Sequence, residues 1–121
     1  MPETIQIHRE LTHEEMRLVR WLLENGWGVT QDLVNQLENL KVVSECSCGC
    51  ASINFVEHHT GLELISEAEF RNQDGGLVGV LLFASGDRLA ELETYSKDGS
   101  DVDKEIPHVN ELTLWSSLDI E

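Results

Sequence analysis

At 121 residues, with 8 Lys and Arg against 23 Asp and Glu, the chain carries a formal net charge of −15. Such a charge repels phosphate backbones and anionic membrane surfaces, which excludes nucleic acid and membranes as partners and steers a basic protein toward the surface. The length suits a single domain over 1–121, able to bury roughly two-thirds of its unfolded surface without a disulfide framework.

Met1 to Gln6 has neither a basic start nor an apolar run, and no stretch approaches the ~20 apolar residues of a membrane span. A soluble cytoplasmic protein is expected. The helical part is expected over about 12–40. Thr12 and Glu15 have the spacing of a capping box, and Met16, Leu18, Val19, Trp21, Leu22 and Leu23 form an apolar stripe that predicts a helix over 13–25. Gly26 offers a left-handed stop. Thr30 then caps a second helix over 31–40, with Leu33, Val34, Leu37 and Leu40 on one face.

From Lys41 the period changes to two, and the sheet is expected over about 41–97. Ala51, Ile53 and Phe55 alternate with Ser52 and Asn54. Leu62, Leu64, Ala68 and Phe70 oppose Glu63, Glu67, Glu69 and Arg71. Leu77 to Ala84 is apolar throughout, as in a strand covered on both faces, and Leu89 to Tyr95 mixes apolar residues with Glu91 and Glu93. Strands are predicted over 50–57, 62–71, 77–84 and 88–95, joined by turns too short for anything but antiparallel neighbours. The expected fold is therefore α+β, with two N-terminal helices packed on a four-stranded, or larger, antiparallel meander. The segment 98–121 has Pro107 as a breaker, then Leu112, Leu114, Trp115 and Leu118. It is too apolar for a free tail, so it packs back on the sheet or meets a second copy, leaving monomer and homodimer both open.

All three cysteines lie in Cys46-Ser47-Cys48-Gly49-Cys50. Thiolates and imidazoles are the preferred ligands of zinc, and His58, His59 and His108 complete the donor set with Cys46, Cys48 and Cys50. Sulfurs around one zinc lie about 3.8 Å apart, whereas residues two apart on a strand are about 6.6 Å apart, so a straight strand cannot bring all three to one ion. A bend at Gly49 would be required. Small, reduced, partly buried thiols at the start of a strand are the simpler reading, with no cofactor and with zinc at Cys46, Cys48 and Cys50 as the alternative.

His13-Glu14-Glu15-Met16-Arg17 begins like a metalloprotease His-Glu-x-x-His, but Arg17 stands where the second ligand belongs. These residues read as the charged first turn of a helix. Glu67 with Glu69, and Glu91 with Glu93, pair carboxylates on one side of a strand. Acid–base work would need one raised pKa in a cleft, and solvated sheet-face charges are the plainer expectation. Gly75-Gly76-Leu77-Val78-Gly79 lacks the Lys-Ser/Thr and the following helix of a phosphate loop.

The segments Cys48-Gly49-Cys50-Ala51-Ser52-Ile53, Val78-Gly79-Val80-Leu81-Leu82-Phe83 and Leu89-Ala90-Glu91-Leu92-Glu93-Thr94-Tyr95-Ser96-Lys97-Asp98-Gly99 resemble a family of small uncharacterised bacterial α+β proteins. In that family a Cys-Gly-Cys-x-Ser segment precedes a strand pair ending in Leu-Glu-x-Tyr-x-x-Asp-Gly. The resemblance implies one domain in a bacterial cytosol and carries no catalytic residue with it. Small acidic bacterial proteins of this class also look like immunity proteins that neutralise toxins.

The expected function is that of a non-enzymatic acidic module binding a basic protein partner, with immunity-type neutralisation of a bacterial toxin as its concrete form. Trp27 or Trp115 would serve as anchors. The alternative is a thiolate metal or redox site at the cysteine cluster, and a third reading is a small enzyme with an acidic cleft.

Overall fold

Period-two alternation dictates most of the architecture. In the computed structural model, residues 4–46, 52–57, 61–71, 75–97, 107, 109 and 112–114 are described, and among them seven strands form one sheet. The strands are β1 (Thr4–Glu10), β2 (Lys41–Cys46), β3 (Ile53–Asn54), β4 (Glu63–Arg71), β5 (Leu77–Ser85), β6 (Arg88–Ser96) and β7 (Thr113–Leu114). Their order is β1-β2-β3-β6-β5-β4-β7, with every neighbouring pair antiparallel. Helix α1 (His13–Glu24), helix α2 (Gln31–Asn35) and a 3₁₀ turn (Leu37–Asn39) lie between β1 and β2.

The capping box forms as its spacing requires. Glu15 N donates to Thr12 Oγ1 at 3.1 Å, and Thr12 N donates to Glu15 Oε1 at 2.9 Å. The stripe that follows puts Leu18, Val19 and Leu22 in the core at full burial. Gly26 has an unexpected role. Positive φ falls on Gly28 instead, and a Cβ at Gly26 would lie 2.9 Å from Leu22 O and from Ser66 Cβ. A bare Cα lets the chain settle on β4, where Trp27 N donates to Ile65 O at 2.7 Å.

The core joins Leu18, Val19, Leu22, Leu33 and Leu37 to the helix-facing side of the sheet, where Ala68, Phe70, Val78, Val80, Leu82 and Leu92 point inward. Each buried Leu or Val contributes about 1.5–3 kcal/mol relative to exposure. No helix among the described residues is long and apolar enough to cross a membrane.

The α+β arrangement of two N-terminal helices on a four-stranded meander is overturned. A strand, β1, precedes the longer helix, and with β2 and β7 it enlarges the four expected strands to seven among the described residues. Sheet-building came first because Thr4–Glu10 alternates by itself, with Ile5 and Ile7 between Gln6 and His8, and pairs with the distant β2. The second helix is also not one helix over 31–40. It stops at Asn35 and tightens into the 3₁₀ turn, since Asn is a poor interior helix residue and Gln36 turns its side chain to the β5–β6 turn. Of the strand expected over 50–57, Ile53–Asn54 is in the sheet. The bounds of the other elements hold: α1, β4, β5 and β6 fall where 13–25, 62–71, 77–84 and 88–95 put them, but a bulge at Ile65 puts Leu64 on the face of Glu67 and Glu69 and not with Ala68 and Phe70. Within 98–121, Thr113 and Leu114 pair with Glu69 and Ala68, and Pro107 is buried.

Candidate functional site

The sheet face turned away from the helices is built in rows across β6, β5 and β4. Glu91 lies opposite Phe83, which lies opposite Leu64. Glu93, Leu81 and Glu67 form the next row, and Tyr95, Gly79 and Glu69 the third. Lys97 N donates to Leu77 O at 2.9 Å, and Leu77 faces Arg71. Because side chains alternate, these rows share one face. The result is an apolar ridge on β5, formed by Leu77, Leu81 and Phe83, in which Leu81 lies between two carboxylates, Phe83 between Glu91 and Leu64, and Leu77 beside Arg71. All three ridge residues are half-buried.

Gly79 lets side chains cross the ridge. A Cβ there would lie 2.6 Å from Tyr95 Cζ, so the tyrosine ring lies over the bare glycine. Its hydroxyl reaches β4 and donates to Glu67 Oε2 at 3.3 Å. Lys97 makes the parallel crossing one row on, with Nζ 2.7 Å from Glu69 Oε2 and the two side chains only 12% and 10% exposed. Burial raises the Tyr95 phenol above its ordinary range, and the negative charges of Glu67, Glu69 and Glu93 add to the rise. Glu69 is thus not the solvated charge that alternation suggested; it is buried and paired.

A second ionic centre has a structural task. Arg9 forks onto Glu15, with Nη1–Oε1 at 2.8 Å and Nη2–Oε2 at 2.9 Å, and Glu45 Oε2 lies 3.7 Å from Nη2. Burial of Glu15 works against its charge, but the Arg9 bonds, the Thr12 N–H and the guanidinium charge outweigh it and hold the carboxyl below its usual range. The same bond to Glu15 raises Arg9 further. The centre fastens β1 to the start of α1. His13 to Arg17 do open α1 as its charged first turn, and Glu15 in that turn is in addition paired with Arg9.

A cleft of about 750 Å³ opens between α2, the 3₁₀ turn and the first residues of β2 and β6. Phe55 and Leu89 lie at its base, and Asp32, Lys41, Asp87 and Arg88 at its rim.

Cys46 ends β2 with its Cα opposite Thr4. Its side chain lies outside the described residues, as do Cys48, Cys50, His58, His59, His108 and Trp115. Among the described residues, no three His, Cys, Asp or Glu side chains gather as metal ligands. Trp27 is 46% exposed in the loop after α1 and held to β4 through its backbone, apart from the rows of the acidic face. Sequence reasoning paired Glu67 with Glu69 and Glu91 with Glu93 but missed Tyr95, Lys97 and Gly79. The isolated Gly within an apolar strand run was the signal that a neighbouring group approaches closely.

A family model described as "Domain of unknown function (DUF6984)" matches residues 8–107. No curated protein and no solved structure matches the chain significantly.

Proposed function

Since the chain belongs to DUF6984, a family of domains of unknown function, we propose its role from the geometry of the acidic sheet face: it is a non-enzymatic module that binds a basic protein partner. The carrying observation is the row Glu93–Leu81–Glu67, a carboxylate on either side of an apolar residue. That order complements a lysine or arginine, whose methylene stem covers Leu81 or Phe83 while its charged head reaches a carboxylate. Tyr95 and Lys97 tie β6 to β4 across this face, so little ordering remains to be done on binding. The concrete form of this role is immunity-type neutralisation of a basic bacterial toxin. A thiolate site at Cys46, Cys48 and Cys50 is the competing reading, and metal analysis of protein purified without chelator decides it.

The test begins with a pull-down at low salt, followed by association kinetics for the retained partner. The Debye length contracts from about 10 Å at 0.1 M to 3 Å at 1 M salt, so a steered association rate falls steeply across that range. Glu67→Lys combined with Glu93→Lys should slow association about tenfold or more at low salt. A rate indifferent to both salt and charge reversal rejects this function.

A further inference from the structure

The sheet has a gap at one end, made by the shortness of β3. That strand pairs with β2 only at Ser44 and Glu45, and with β6 only at Glu91 and Leu92. Phe55 N still donates to Ala90 O at 2.8 Å, but the chain then leaves the sheet. Glu57 Oε1 lies 3.7 Å from His8 Nε2, so the Glu57 side chain reaches past β2 to β1. Among the described residues, β2 at Lys41–Val43 and β6 at Arg88–Leu89 therefore have a strand on one side only. Strands flanking one absent strand stand about 9.6 Å apart, the width that one extended backbone fills.

Gln36 reveals what this inner edge accepts. Its Nε2 donates to Asp87 O, and Leu89 N donates to its Oε1 at 2.8 Å. A neighbouring strand bonds in the same way, using the carbonyl before a residue and the N–H after it. The carboxamide thus stands in for the backbone N–H and C=O of one residue of such a strand. The charges around it are balanced: Asp32 and Asp87 against Lys41 and Arg88, on a chain of net charge −15. This is electrostatic ground unlike the acidic face, and it suits a segment carrying both signs.

We propose that the gap is a peptide-docking slot. An extended segment of a partner protein, with an acidic and a basic side chain, enters between β2 and β6 as the absent strand. Its backbone takes over the bonds that Gln36 makes to Asp87 and Leu89. Gln36 is then an internal competitor for the site, and the slot operates separately from the carboxylate rows.

A phage-displayed heptapeptide library selected on the full chain supplies the probes, and amide chemical-shift mapping locates them. Selected peptides should shift Lys41–Val43 and Arg88–Leu89. N-methylation at alternate peptide residues should weaken binding about tenfold or more, because the ladder bonds are lost. Gln36→Ala should bind the same peptides roughly tenfold tighter, since the competing carboxamide is gone. The N-methyl series is read on the unaltered chain, so it decides the matter even if Gln36→Ala folds poorly. Peptides indifferent to N-methylation, shifts confined to Glu67, Leu81 and Glu93, or a library that yields no binder would each overturn the slot.

Discussion

Gly79 is the smallest residue on the acidic face and sets the position of the largest. Because a side chain there would meet the Tyr95 ring, replacing Gly79 by Val should displace the ring and break its bond to Glu67. Tyr95 is the one tyrosine of the chain, so its ionisation can be followed by ultraviolet absorbance alone. The phenol should titrate above its ordinary value of about 10, and Glu67→Gln should bring it part of the way back, because burial remains. A raised pKa means that Tyr95 favours the fold below its unfolded pKa and ceases to as pH rises through the folded one. An unshifted titration would show that the ring does not lie over Gly79. Glu15 has the opposite sign. Its lowered pKa gives stability that is present above the ordinary carboxylate range and lost as pH falls through the folded value. Glu15→Gln should therefore cost about 1–3 kcal/mol at neutral pH, with the difference shrinking below about pH 4. A cost independent of pH would place the loss in the hydrogen bonds to Thr12 and not in the charge pair.

At the scale of elements, β5 shows both what the sequence reveals and what it hides. The run Leu77–Ala84 announces a central strand, and β5 does lie between β4 and β6. Uniform apolarity conceals parity, however. Only register shows that Val78, Val80 and Leu82 enter the core while Leu77, Leu81 and Phe83 form the outer ridge. Leu82→Ala should cost about 2–5 kcal/mol by denaturant unfolding, because Leu82 is fully buried. Leu81→Ala should cost distinctly less and should weaken partner binding instead. Equal costs would contradict the assigned faces. The long strands and α1 were legible because turns and caps are local chemistry. By contrast the pairing of β1 with β2 and the crossing pairs Tyr95–Glu67 and Lys97–Glu69 join residues 28 or more apart, which no local pattern encodes. The α2 boundary was misread for a related reason: Gln36 is drawn off to Asp87 and Leu89, more than 50 residues on.

The whole molecule is a sheet of unequal halves. On one side β4, β5 and β6 pair through long registers between sequence neighbours, each interrupted by one shift. On the other, β1 and β2 pair across the intervening helices, and two residues of β3 join the halves. Local meanders close with little loop entropy, so β4–β6 is the part expected to form early, with β1 and β2 added later. The two-residue β3 is then a seam along which the native state can part without global unfolding. In native-state hydrogen exchange, amides of β1 and β2 should open together at a lower free energy than those of β5. A single opening energy for both halves would mean that Arg9–Glu15 and the core contacts of α1 weld them into one cooperative unit. If the seam does part, it bares the inner edge of β6, and a bared strand edge is a template for another chain. The brevity of one strand would then set how this protein fails under stress: by edge-to-edge aggregation from a half-open state, before its core has melted.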